Sequence, residues 1–125
     1  METIMSTTPK SGVSNTLAQK KTRTEQIKAL NYAFRQELKP ANVFISLEVV
    51  RLGETKLKEL FTKLKTYSHF TAKTDPDGDH SAGVIEIDQR KIDWGIYYWD
   101  IDGEDDSSDP SNASVTMRIL NLDFA

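Results

Sequence analysis

The chain contains no cysteine, which removes disulfide frameworks, thiolate nucleophiles and zinc ribbons and suits a reducing cytoplasm. It has no run of about eighteen apolar residues of the kind that crosses a bilayer, so no membrane partner is expected. Its first stretch, METIMSTTPKSGVSNT, lacks a charged segment followed by an apolar one, so no secretory signal is expected. Residues 1–21 are polar and unpatterned and are expected to form a flexible arm ahead of a single domain over 22–125. Also missing are a Gly-x-Ser-x-Gly elbow, a glycine-rich phosphate loop and a second histidine pair at metal spacing, the marks of common nucleophilic, phosphoryl-transfer and metal chemistries. No internal repeat is visible. These absences lean the reading away from an enzyme, and no cofactor is implied.

Charge is present in both signs but unevenly distributed. Residues 74–125 hold thirteen acids against three bases, whereas residues 1–39 hold seven bases against three acids. An acidic half repels nucleic-acid phosphates and attracts cations or basic protein surfaces. The Lys20, Lys21 and Arg23 cluster is too short to alter that, since isolated charge runs usually solvate a face. A basic protein surface is therefore the expected partner, and direct nucleic-acid binding is not.

The chain is organised around Asp75 to Asp102. Gly83 to Ile87 and Ile92 to Tyr98 carry large apolar residues at every second position, the period of a pleated strand. Asp88 to Lys91 make the turn. A two-residue loop at Gln89 and Arg90 would pair Ile87 with Ile92, Ile85 with Trp94 and Gly83 with Ile96 on a core face. The same register would bring Asp79 level with Asp100 and Asp77 level with Asp102.

Before the hairpin, Thr22 to Glu25 has capping-box spacing and predicts a helix start. Ile27, Leu30, Phe34 and Leu38 form its apolar stripe, with Lys28, Arg35 and Glu37 facing water, and Pro40 ends it. Asn42 to Val50 is rich in β-branched and aromatic residues and predicts a strand, with Val43, Ile45, Leu47 and Val49 on the core face. After Gly53, Glu54 to Tyr67 predicts a second helix with Leu57, Leu60, Phe61 and Leu64 inward. Ile101 to Asn112 is polar, holds five acids and reads as a solvent loop. Ser114 to Phe124 is expected to be the last strand, with Val115, Met117 and Ile119 alternating until a bulge shifts the pattern. The fold class is α+β: a mostly antiparallel four-stranded sheet with two helices on one face, in the order α-β-α-β-β-β.

This order, together with the DPDGDH turn, the W-x-I-x-Y-x-D arm at Trp94, Ile96, Tyr98 and Asp100, and the late SVTMRILNL strand, resembles a family of small bacterial proteins known only as a domain of unknown function. The likeness spans about residues 25 to 123. Where that family typically reads Asn-Asp-Pro-Tyr-Gly-Glu-His-Asp-Phe-Gly, this chain has Thr74 to Gly83, matching at Asp75, Pro76, Gly78, His80 and Gly83 and departing at Asp77 and Asp79. The hairpin turn departs too, with Gln89 where the family tends to glycine. The resemblance singles out His80 and Asp100. It implies an alphaproteobacterial, often plasmid-borne accessory protein and brings no known activity.

Three constellations invite chemistry. From Asp75, the acids at Asp77 and Asp79, Ser81 and Glu86 repeat calcium-loop offsets, but His80 stands where that loop needs glycine. A looser cation site would draw on Asp75, Asp77, Asp79, Asp100 and Asp102, against the simpler reading that Asp-Pro and Asp-Gly form turns. His80 beside Asp79 or Asp100 has the makings of a general base, against a structural histidine across the hairpin mouth. Trp99, flanked by acids, suits either core or a partner surface, and Tyr97 on the same face is expected in the core rather than on such a surface. The leading expectation is a non-catalytic accessory protein whose acidic surface, with Asp77, Asp79, His80, Trp99, Asp100, Asp102, Glu104 and Asp105, meets a basic partner; an inhibitor of a nucleic-acid-binding protein is one such form. The alternative is a small enzyme or divalent-metal protein centred on His80, Asp79 and Asp100.

Overall fold

The computed structural model describes residues 12–125, with side chains described from residue 22 onward. Helix α1 spans Gly12–Gln36 and so starts well before Thr22. Leu17 to Lys21 are good helix formers and no proline or glycine interrupts the run after Gly12. The Thr22 to Glu25 capping box thus lies inside the helix, where no free N–H groups remain for it to satisfy. Residues 12–21 of the expected arm are helical, and residues 1–11 lie outside the described residues. Lys39 before Pro40 is extended, and Pro40–Asn42 form a single 3-10 turn.

The strand expected over residues 42–50 is cut short. Strand β1 covers only Val43–Ile45, because Ser46 turns the chain: its hydroxyl accepts the Val49 N–H at 3.3 Å and caps the short helix α2, Leu47–Val50. A local side-chain bond to the backbone here outweighs β propensity. Val43, Ile45 and Val49 still meet the core, but Leu47 is 62% exposed. Gly53, at φ 97°, precedes helix α3, Glu54–Lys65. That helix buries Leu60 and Leu64 and packs Leu57 and Phe61 against them, as its periodicity predicts.

Strands β2 (Ala82–Ile87) and β3 (Arg90–Trp99) form the hairpin. Its loop is Asp88-Gln89, at φ 55° and 66°, the pair of left-handed residues that a type I′ turn demands. The expected Gln89-Arg90 loop is thereby corrected. Ile87 faces Arg90, Ile85 faces Ile92 and Gly83 faces Trp94, a shift of two residues in the partner strand. An even shift keeps every side chain on its expected face. Ile85, Ile87, Ile92, Trp94 and Ile96 are all buried.

Strand β4 (Met117–Phe124) pairs antiparallel with β3 without a break, from Phe124 opposite Ile92 to Met117 opposite Trp99. No bulge interrupts it. Arg118, Leu120 and Leu122 share the inner face, and Met117 and Ile119 turn to the other, the reverse of the expected alternation for this segment. Strand β1 pairs parallel with β4, giving a mixed sheet in the order β1-β4-β3-β2. The architecture is α+β, as expected, with three helices where two were anticipated. Val49, Leu60 and Leu64 from α2 and α3 pack with the inner sheet residues, and Phe34 of α1 and Leu38 just beyond it close the cluster. Among the described residues no helix covers the opposite sheet face, and none is long and apolar enough to cross a membrane.

Two stability changes follow. Trp94 is 2% exposed, so Trp94→Ala should cost about 3 to 5 kcal/mol, read as a lower urea midpoint. Gln89 is held left-handed against its side chain, so Gln89→Gly should stabilise the fold by about 1 kcal/mol in the same melts.

Candidate functional site

The segment between α3 and β2 is a tight acidic turn built on Asp75. Its N–H donates to the Thr71 carbonyl at 2.7 Å, its own carbonyl accepts the Gly78 N–H at 3.1 Å, and its Oδ1 accepts the His80 N–H at 3.1 Å. Gly78 and His80 take left-handed φ values of 70° and 58°. Asp75 is buried, and desolvation lifts its carboxyl above the usual carboxylate range. The His80 ring stacks on Phe70, with centroids 3.8 Å apart and planes within 3°. Its Nε2 lies 3.9 Å from Asp75 Oδ2. Burial against Phe70 pushes the imidazole below its ordinary value more than the nearby carboxylates raise it.

Asp79 enters a buried polar knot. With the ladder moved by two residues, the residue brought level with Asp79 is Tyr98 rather than Asp100. Tyr98 Oη donates to Asp79 Oδ2 at 2.7 Å, and Ser81 Oγ donates to Oδ1 at 2.8 Å. Asn31 of α1 donates through Nδ2 to the Asp79 carbonyl at 2.9 Å and to Tyr98 Oη at 2.8 Å. Its Oδ1 accepts Arg118 Nε at 2.7 Å, and Arg118 Nη2 reaches the Pro110 carbonyl at 2.6 Å. Burial raises the Tyr98 phenol well above its ordinary pKa. The Ser81 and Tyr98 hydroxyls thus both donate to Asp79, and neither is presented to His80.

One helical turn beyond Asn31, Arg35 is 2% exposed where an outward side chain was expected. Its Nη1 donates to the Leu64 and Tyr67 carbonyls at 2.8 and 3.4 Å, at the negative end of α3. Phe70 and Trp94 lie 5.5 and 5.4 Å from its guanidinium carbon. Burial lowers its pKa. Arg35 Nε and Trp94 Nε1 have no acceptor among the described residues. Sequence reasoning missed Asn31, Arg35 and Arg118. The available signal was spacing: Asn31, Phe34, Arg35 and Leu38 share one face at intervals of three and four.

The second acidic turn stands apart. After Trp99 the chain folds back so that Asp106 bridges Trp99, the Asp100 N–H donates to the Asp105 carbonyl, and the Ser107 N–H donates to the Tyr98 carbonyl. Asp100 Oδ1 accepts the Glu104 N–H at 3.1 Å. Asp102, Glu104, Asp105 and Asp106 are exposed. Among the described residues no three His, Cys, Asp or Glu side chains are grouped to hold a metal ion. The expected convergence of Asp75, Asp77, Asp79, Asp100 and Asp102 is corrected on that geometry: Asp77 points to solvent, Asp79 is held by Tyr98, and Asp100 caps its own loop.

The loop's position matters for the uncovered sheet face. There Tyr97 lies opposite Ile119 and Trp99 opposite Met117, and Phe44 stands beside Asn121 on the next strand. Phe44 and Tyr97 are 59% and 52% exposed. With Gly103 and Asn121 they line a groove of about 390 Å³. Gly103 takes a left-handed φ of 74°, and a Cβ there would sit 3.2 Å from Met117 Cε, so the loop closes on the apolar strip at a point that favours glycine. Asp106 shares this face beside Trp99, and Asp93 and Asp123 face each other at its far end.

The model of a family described as a protein of unknown function (DUF3768) matches residues 45–125, which takes in the Asp75 turn, the hairpin, the acidic loop and β4 but not α1. No curated protein and no solved structure matches the chain.

The lowered imidazole sets a pH dependence. As pH falls from the ordinary value of 6.5, the unfolded chain takes up a proton at His80 before the native one does, so stability above 6.5 is lost through that window. Asp75, with a raised pKa, acts in the opposite sense. The native His80 side chain is 35% exposed, which keeps the effect modest. His80→Asn tolerates the left-handed backbone and should flatten the fall in melting temperature on acidification below 6.5.

Proposed function

The chain belongs to the DUF3768 family of proteins of unknown function, and we propose that it acts without catalysis, as an interaction protein whose open sheet face receives a basic protein partner. The observation that carries this is the uncovered strip of Phe44, Tyr97, Trp99 and Met117 between acids at both ends. Exposed aromatics on a rigid sheet supply contact area at little entropic cost, and a charged rim steers encounter and selects the sign of the partner. A nucleic acid would find stacking surfaces here but would be repelled by Asp93, Asp106 and Asp123. A second copy would set acid against acid. A basic surface bearing apolar side chains answers both features at once.

A partner of that composition is typical of proteins that bind nucleic acids, so one form of the activity is to occupy such a protein's binding groove. The cysteine-free composition supports a reducing, cytoplasmic setting. The resemblance to plasmid-borne accessory proteins supports an origin on a mobile element.

The test is a photo-cross-linking amino acid placed at position 97 in the native host, with position 56 on α3 as control. Position 97 should capture a basic protein, and position 56 should not. Capture from a second site on the open face, position 44, should fall about tenfold with Tyr97→Glu and in about 0.5 M salt. An equal yield from Tyr97→Glu, or an acidic partner, would overturn the reading.

A further inference from the structure

The sheet has two outer edges, and they are treated differently. On β2 two of the outward groups are answered within the chain: the Val84 N–H donates to Tyr67 Oη at 3.2 Å, and Lys63 Nζ donates to the Glu86 carbonyl at 3.0 Å. A guest strand would have to displace both of these side chains. On β1 the bond from the Ser46 N–H to the Leu122 carbonyl, 3.0 Å, sets the phase of the parallel ladder. Phe44 bonds inward to β4, so the peptide groups of Val43 and Ile45 point out of the sheet. The Val43 N–H is taken by the Pro40 carbonyl. That leaves the Val43 carbonyl and the Ile45 N–H and carbonyl on the free edge.

Beside this edge lies a groove of about 500 Å³. Its apolar lining comes from Leu38, Val43, Ile45 and Phe61, and Lys39 and Lys65 stand on its rim with Glu37. The four apolar residues are half-buried and both lysines are exposed. Among the described residues neither lysine stands in an ion pair. A strand laid along β1 would send every second side chain into the groove and hold its backbone against Ile45.

We infer that the β1 edge and its groove take an extended, acidic segment of a partner protein as a fifth strand. The lysines select the charge, because they exceed the acids on this rim. Residues 1–11 are an unsuitable occupant, with Glu2 offset by Lys10. The acidic loop of a second copy is unsuitable too, since Gly103 and Pro110 break its strand character. The groove lies on the helix-covered side of the sheet, away from Tyr97 and Trp99, so the inference does not rest on the function proposed above.

The probe is a synthetic octapeptide alternating glutamate with valine, titrated into the full chain and followed by backbone amide resonances and hydrogen exchange. Binding should saturate, slow exchange at Ile45 and move the resonances of Val43 and Phe61. Lys39→Glu with Lys65→Glu should weaken it about tenfold while lowering the melting temperature only slightly, because both side chains are exposed and Lys65 alone faces the end of a helix dipole. Salt added to the unaltered protein should weaken it in parallel. An octapeptide alternating lysine with valine should leave Ile45 unprotected, and any shifts it causes at Tyr97 would report on the open face instead. No protection of Ile45 at millimolar peptide would overturn the inference. So would binding indifferent to both lysine substitutions and salt, or protection that appears without peptide and grows with protein concentration, which would make the occupant a second copy.

Discussion

The fold depends on a buried polar seam along α1. Asn31 uses both amide hydrogens and its oxygen, on the Asp79 carbonyl, the Tyr98 hydroxyl and Arg118. Through those three groups it ties α1 to the Asp75 turn, to β3 and to β4. Arg35, one turn on, closes the end of α3 by donating to the Leu64 carbonyl and to that of Tyr67 just beyond the helix. A guanidinium buried without a carboxylate is costly, and here the helix dipole and flanking aromatic rings offset that cost. Removing either residue would leave several buried groups unpaired at once, a larger loss than a missing apolar contact.

The seam also explains how the sheet comes to have two unlike faces. Arg118 is drawn inward by Asn31, which sets the alternation of β4 and turns Met117 and Ile119 to the opposite side. There they meet Trp99 and Tyr97 across the ladder. The Pro110 carbonyl, held by Arg118, fixes the far end of the acidic loop, and Gly103 lets the near end close on Met117. One set of internal bonds thus builds the core and also positions an acidic rim beside an exposed aromatic strip. Stability and surface chemistry are coupled through the same arginine.

The acidic residues show why composition alone misplaces a site. Thirteen acids in residues 74–125 suggest one concentrated field, yet the structure divides them by environment. Asp75 and Asp79 are buried and spent on a turn and a tyrosine. Asp102, Glu104 and Asp105 remain in water, and Asp93, Asp106 and Asp123 mark the ends of the open face. A buried carboxylate must be satisfied internally, whereas an exposed one is free to act on a partner.

By itself the sequence determined what depends on local periodicity. The 3.6-residue stripe of α3, the two-residue alternation of the hairpin and the α+β class were legible, because side-chain direction repeats with the backbone whatever lies opposite. Even the wrong turn at Gln89-Arg90 left Ile85, Ile92 and Trp94 on the correct face, since a shift of two preserves parity. Only the tertiary structure decided which residue stands level with Asp79, because turn type sets register and two candidate loops differed by one residue. Only it decided that Arg35 and Arg118 are buried, because a charged side chain reads as exposed until its acceptors, here carbonyls and an amide from distant segments, are assembled around it. Strand β1 ended at Ser46 for a related reason: a single hydroxyl bond to Val49, worth about 1 kcal/mol, tipped a segment that propensity alone would have continued as a strand.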